Sequence, residues 1–228
     1  MHPEQKVASS QVKDQAKTRR GDARRQGEYH HGTLREALLS AAEALLLERG
    51  VEAFSLRECA RRAGVSHGAP AHHFGDARGL LTAFATAGFE RMELRMQRYA
   101  LEADDSPEQR LAAVGRAYVD FALDHPAHFR LMFRSDRLDA DDPALKRASA
   151  ATAQALAWSL SAALEHRGVD IHTLQERCLL AWSAVHGLAM LVLDADLSAF
   201  GVTHDKEGSA RTVAAGLLNR LGVSLLAP

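Results

Sequence analysis

The sequence predicts an all-α protein of about nine helices. Its apolar residues are mainly Ala and Leu, aromatic residues make up only 6%, and no run alternates Val, Ile or Thr with the period of a strand. With 228 residues, 46% of them hydrophobic, the chain is long enough for a small domain followed by a larger one.

Each element has its own punctuation. Residues 1–27 lack apolar periodicity and are expected to be a flexible basic tail, in which Lys17, Arg19, Arg20, Arg24 and Arg25 either brush phosphates or are simply solvated. Helix one opens on a capping box, Thr33 with Glu36. It carries Leu34, Leu38, Ala41, Ala42 and Leu45 on one face and stops at Gly50. Ser55 with Glu58 forms a second box. Leu56, Cys59, Ala60 and Ala63 line that helix, and Gly64 ends it after barely two turns. Ser66 is the expected cap of helix three, and so short a connection forces a steep crossing, the helix-turn-helix arrangement. Pro70, lacking an amide hydrogen, predicts that helix three starts in a tight or irregular turn.

Asp76 caps a long fourth helix reaching about Leu101, with Leu80, Phe84, Ala87, Met92, Met96 and Tyr99 on its apolar positions. Ser106 and Pro107 start a fifth that Pro126 breaks. HPAHFRLMF is a short sixth, and Asp142-Pro143 opens a seventh ending near Gly168. The last two run from about Thr173 to Asp194 and from about Asp205 to Leu221.

The net charge of -1 is uninformative, but its distribution is uneven: residues 1–80 hold 13 Lys and Arg against 10 Asp and Glu, the remainder 15 against 19. Two cysteines, Cys59 and Cys178, fit buried thiols in a reducing cytosol. The apolar run CLLAWSAVHGLAMLVL reads as too short for a bilayer span and the N-terminus lacks the apolar core of a signal peptide, so a cytoplasmic protein is expected. No glycine-rich phosphate loop, nucleophile elbow or fixed carboxylate pair is present, so no catalytic residue is assigned.

A steep helix pair suits the DNA major groove, with helix three reading bases and helix two crossing the backbone. Ser66 and backbone amides can donate to phosphate; Arg57, Arg61 and Arg62 supply charge; His67, His72 and His73 offer ring nitrogens. Gly68 permits close backbone approach, and Ala69 or Ala71 offers a methyl contact to thymine. The competing reading is a hairpin that merely packs.

Tyr29 to Phe89, including SLRECARRAGVSHGAPAHHF, resembles the N-terminal domain of the TetR/AcrR family of transcriptional regulators. HPAHFRLMF and AWSAVHGLAMLVL resemble the C-terminal domain of the subgroup named for Trp, His and Gly, here Trp182, His186 and Gly187. The resemblance implies a helix-turn-helix DNA-binding domain over 28–75 and a ligand-binding and dimerisation domain over 76–228. It implies a homodimer on a pseudopalindromic operator, usually repressing and released by a small molecule, with no further cofactor. Among the DNA contacts it carries over are Thr33 and Ser55. Where the family often has Tyr in helix three and Lys at the start of helix four, this chain has Ala71 and Ala77, leaving His72 and Arg78 as substitutes.

In the second half, helix eight is apolar nearly all round and helix nine offers Val213, Ala214, Leu217, Leu218 and Leu221 beside Gly216, so both are expected to pair with a second copy. Helices four to eight are expected to enclose a cavity walled by Met96, Tyr99, Tyr118, Phe129, Met132, Phe133, Trp182 and His186. His125 and Arg130 are expected to orient a polar group there, and Gly187 to allow a close backbone approach. The alternative for these residues is plain core. An alternative function is an all-α small-molecule or metal-binding protein without specific DNA binding, with His125, His128, His186 and Asp120 as zinc ligands.

Overall fold

The computed structural model describes residues 34–103, 106–195, 197–200 and 209–227. The basic tail, Thr33 and the expected start of the last helix at Asp205 fall outside them. All regular elements among these residues are helical: α1 (34–49), α2 (Leu56–Arg62), α3 (Ala69–Phe74), α4 (Ala77–Glu102), α5 (Pro107–Asp124), α6 (Pro126–Met132), α7 (Pro143–His166), α8 (Leu174–Asp194) and α9 (Ser209–Leu225).

Helices α1–α3 form a small head. Leu38, Ala42 and Leu45 of α1 are fully or almost fully buried with Cys59 and Ala60 of α2. The Ser55 hydroxyl accepts from the Glu58 amide, while the Glu58 carboxylate turns to Arg61 and Arg62 instead of completing the box. At Gly64 (φ 68°) the chain reverses, with Gly64 N–H on the Arg61 carbonyl and Val65 N–H on that of Ala60. This is the left-handed C-terminal motif that only a residue without Cβ adopts cheaply.

Helix α3 begins after the tight turn expected from Pro70, but Ser66 is not its cap. It is capped by Gly68, without a side-chain bond, because residues 66–69 first make a tight turn in which Ala69 N–H reaches the Ser66 carbonyl. Pro70 then falls in the first helical turn, where no intrahelical bond needs its missing N–H, so it fits regular helix.

Asp76 caps α4 through Gly79 N–H at 2.8 Å. A Cβ on Gly79 would lie 1.9 Å from the Phe74 carbonyl oxygen, so glycine alone lets the end of α3 press onto the first turn of α4. From there α4 runs 26 residues into the body, where it packs on α5, α6 and α7. Gly88 and Gly115 permit less extreme close packing, a Cβ there lying 2.7 Å from Met132 and 3.0 Å from Leu218 side-chain atoms. One apolar core runs from Leu38 and Leu45 in the head through Phe84, Phe89 and Met92 to Phe121 and Phe129 in the body.

Helix α9 extends beyond the expected Leu221. Leu225 and Leu226 are buried against Leu111, Leu160 and Leu164, and Arg177 donates to the carbonyls of Leu225 and Ala227, satisfying the helix end. With the turn before it, α8 spans Ile171–Asp194, which by length and composition alone could cross a membrane, a test that the core helix of a globular protein also passes. Here it packs on α5, α7 and α9.

Replacing Gly79 by Ala should destabilise the protein by about 1–3 kcal/mol, because the added methyl meets rigid backbone. Urea denaturation checks this; unchanged stability would mean that the α3–α4 joint yields.

Candidate DNA-reading face and effector cavity

On the head, Arg57, Ser66, His67, Gly68, Ala71 and His72 are exposed, whereas Ala69, His73 and Phe74 are half-buried. The Phe74 ring lies beneath the Arg35 guanidinium at 5.9 Å. The three arginines of α2 have separated roles. Arg61 forms a two-pronged pair with Glu58 and Arg62 bridges Glu58 and Glu48, while Arg57 makes no ion pair among the described residues and leaves its charge available. Glu58 is held down at about 2, chiefly by its bond to Arg61. Ser55 is engaged as the α2 cap.

Arg78, expected as a phosphate contact, is exposed and also engaged within the chain. Its guanidinium donates to the carbonyls of Leu138 at 3.0 Å and Asp136 at 3.3 Å, in the loop between α6 and α7. Arg134 of that loop reaches Glu52 in the head at 2.7 Å, Arg137 pairs with the same carboxylate, and Asp139 N–H bonds Thr82 at 2.9 Å. Head and body are thus clamped at the loop that follows α6.

The body holds a cavity of about 510 Å³ between α4, α5, α7 and α8. Of the residues expected there, Met96, Tyr118, Phe133 and Trp182 line it. Residues that the sequence reading missed complete it: Phe89, Val114 and Gly115, then Ser149, Thr152, Ala153 and Leu156 of α7, then Gln175, Cys178, Leu179 and Val185 of α8. The α7 set recurs at the helical spacing of one face, a signal present in the sequence but carried by Ser, Thr and Ala rather than bulky residues. Among the described residues, no Asp, Glu, Lys or Arg lines the wall. A second cleft of about 530 Å³ is walled by Glu102, Glu108, Arg116 and Arg167 and is the less apolar of the two.

A polar relay runs from the wall inward. Trp182 Nε1–H donates to the Tyr118 oxygen at 3.3 Å, and Tyr118 lies 2.8 Å from His186 Nδ1. An indole N–H only donates, so the Tyr118 hydroxyl accepts from Trp182 and donates to His186, whose ring proton then resides on Nε2. Burial holds the Tyr118 phenol well above its ordinary value and His186 below its own, so the set stays neutral. His186 and Phe129 support Tyr118 from behind the wall rather than line the cavity.

Other expected wall residues lie elsewhere. The Tyr99 hydroxyl binds Asp120 at 3.0 Å, Met132 packs on Gly88, and Arg130 pairs with Asp194 at the surface. His125 is grouped with His128 and Glu43. The zinc set read from sequence is not assembled: Asp120 is taken by Tyr99 and Arg211, and His186 by Tyr118. A Cβ on Gly187 would meet nothing within 4 Å, so no close approach occurs there within the chain.

Residues 38–94 match the model of bacterial regulatory proteins of the tetR family, and residues 111–217 match that of the tetracyclin repressor-like C-terminal domain. The chain belongs to the tetR family, whose members are DNA-binding regulators rather than enzymes. It is 34% identical over 80 residues to the HTH-type transcriptional regulator BetI of Stenotrophomonas maltophilia (strain R551-3), a match spanning 35% of this chain and 41% of that relative. A solved structure of a protein with unknown function from Rhodococcus sp. RHA1 is 33% identical, covering 84% of this chain and 96% of its own, with a TM-score of 0.67. The structure of RolR in complex with resorcinol shares the fold at 21% identity, with coverage of 86% and 89% and a TM-score of 0.56.

Cys59 is buried, donates to the Leu38 carbonyl, and has its thiol pushed up to about 11 by burial, whereas Cys178 is half-exposed on the cavity wall. Aromatic disulfide reagent at pH 8 should therefore modify Cys178 in the folded protein and Cys59 only after unfolding. Equal rates at both would contradict the packing of α2 on α1.

Proposed function

We propose that this protein is an operator-binding transcriptional repressor that works in the cytoplasm as a homodimer and is released from DNA by a small uncharged apolar effector. The observation that carries this reading is a single helix, α4, with α3 folded against its first turn and the uncharged cavity against its middle. An effector that fits only one spacing of α4, α5, α7 and α8 biases the pose of the head, and its differential affinity for the two poses sets the size of the response.

The coupling has a material route. Phe133 lines the cavity at the end of α6, and the following residue, Arg134, holds Glu52 of the head. Displacement of Phe133 is transmitted to the clamp within one residue. The resorcinol complex of RolR supports the idea that a body of this shape accepts a small aromatic molecule.

A two-fold operator needs two heads about 34–36 Å apart, hence a dimer. Helices α8 and α9 carry the apolar surface for it: Leu180 is 55% exposed and Val223 72%, with Leu191, Val213 and Leu217 also exposed. Gly187 and Gly216 face open space, although an interior helical glycine costs about 1 kcal/mol. Close approach of a partner helix gives that cost a reason.

Fluorescence anisotropy with a labelled duplex from upstream of the coding region should show salt-dependent, sequence-selective binding. Arg57→Ala should reduce the slope of log K against log salt by about 0.9, and His72→Ala should weaken the cognate duplex more than a scrambled one. N-phenyl-1-naphthylamine, a neutral fluorescent probe, should enter the cavity and lower operator affinity, and Ala153→Trp should exclude it. Binding that ignores sequence, or a probe that binds without changing operator affinity, would defeat the switching reading.

Leu180→Glu combined with Leu217→Glu should give monomers by analytical ultracentrifugation and abolish operator binding while the helical content persists. A stable dimer in that variant would place the interface elsewhere.

A further inference from the structure

Three ligating side chains from different parts of the molecule converge at a point the effector reading does not use. Glu43 is on α1 in the head, His125 closes α5 and opens α6, and His128 follows on α6. One ligand atom from each lies within 4.8 Å of the other two, and His128 Nδ1 is 3.7 Å from Glu43 Oε1, too far for a hydrogen bond. His128 is only 2% exposed, and that nitrogen has no hydrogen-bond partner. Buried polar atoms are nearly always paired, so an orphan aimed at a carboxylate and a second imidazole asks for a partner.

We propose that Glu43, His125 and His128 bind a zinc-like divalent cation that clips α1 of the head to the start of α6. Two imidazoles and one carboxylate are a donor set suited to zinc, with the fourth position left to water, whereas magnesium and calcium demand more oxygens. The ring of His128 is fixed in advance by stacking on Phe84 at 3.7 Å. Both histidines are held in the neutral, ligating form: burial, then Arg91, keeps His128 down at about 3, and burial, then Arg95 and Arg91, lowers His125. Zinc ligands bonded at about 2.0–2.2 Å lie closer together than these atoms do. The half-exposed Glu43 carboxylate supplies the closing movement.

The surroundings tune the strength. Arg91 Nη1 is 3.5 Å from His128 Nε2, and Arg95, paired with Asp124 at 2.7 Å, flanks His125. Metal on Nδ1 moves the ring proton to Nε2, so the exposed Arg91 must turn outward. Its charge and that of Arg95 oppose the cation, which makes the site an exchangeable one rather than a permanent structural centre. Because it ties α1 to α6, occupancy restrains the head independently of the cavity. The binding claim itself does not depend on the operator reading.

The test uses full-length protein without an affinity tag, stripped by chelator. Zinc is titrated in competition with a chromogenic chelator, and cobalt by the visible absorption of its tetrahedral complex. One zinc per chain and a rise in Tm are expected. Glu43→Gln and His125→Gln alter partly exposed residues and should leave Tm without metal unchanged, yet weaken zinc binding by about 100-fold or more and abolish the tetrahedral cobalt spectrum. Absence of stoichiometric binding at micromolar zinc would overturn the proposal. So would zinc binding that survives both substitutions, since the metal would then be held by other histidines.

Discussion

Helix α4 belongs to both halves of the molecule, and the geometry of everything else is referred to it. At 1.5 Å per residue its 26 residues span about 39 Å. One end is fixed to the recognition helix by a carbonyl lying where a side chain would be, and the middle forms a wall of the cavity. A joint that included a flexible linker would let the body change shape without moving the head. The contact of Phe74 on Gly79 leaves no such linker at this joint.

The ion pairs divide by purpose. Exposed pairs such as Arg61 with Glu58 contribute little to stability, but they decide which guanidiniums remain available to a polyanion. The cluster of Arg78, Arg134 and Arg137 with Glu52 and the loop carbonyls does something different: it fixes the head against the body at the end of α6, beside Phe133 of the cavity. The Trp182, Tyr118 and His186 relay performs the matching task inside. It pairs the Trp182 N–H, the Tyr118 hydroxyl and His186 Nδ1 with one another and holds the Tyr118 hydroxyl from two sides.

Much of this was legible in the sequence because it is local. Capping residues Ser55, Asp76, Ser106 and Asp142 and the glycines at 50, 64 and 168 mark helix ends by chemistry within a few residues, and the helices follow them. The cap of α3 is less legible than its turn, because a tight turn and a capped helix both favour Ser, and only a start after that turn leaves Pro70 in the first helical turn. The cavity was half legible. Bulky residues such as Trp182 and Phe133 announce themselves, whereas Ser149, Thr152 and Ala153 form a wall only once α7 is laid across α4. The partners of Arg78 are illegible for the same reason: they lie about 60 positions away in the chain. The grouping of Glu43 with His125 and His128 was invisible, since nothing local brings α1 to α6.

On the proposed reading, a chamber whose described walls carry no formal charge has a consequence for the guests it would distinguish. Ionic recognition distinguishes functional groups; an uncharged enclosure grades its visitors by bulk. Each methylene added to a guest is worth about 0.8 kcal/mol, roughly a fourfold gain in affinity, until the available space is exhausted and the next carbon is rejected. Within a homologous series, sensitivity would therefore climb with size to a sharp ceiling, and unrelated molecules of similar dimensions would be answered alike.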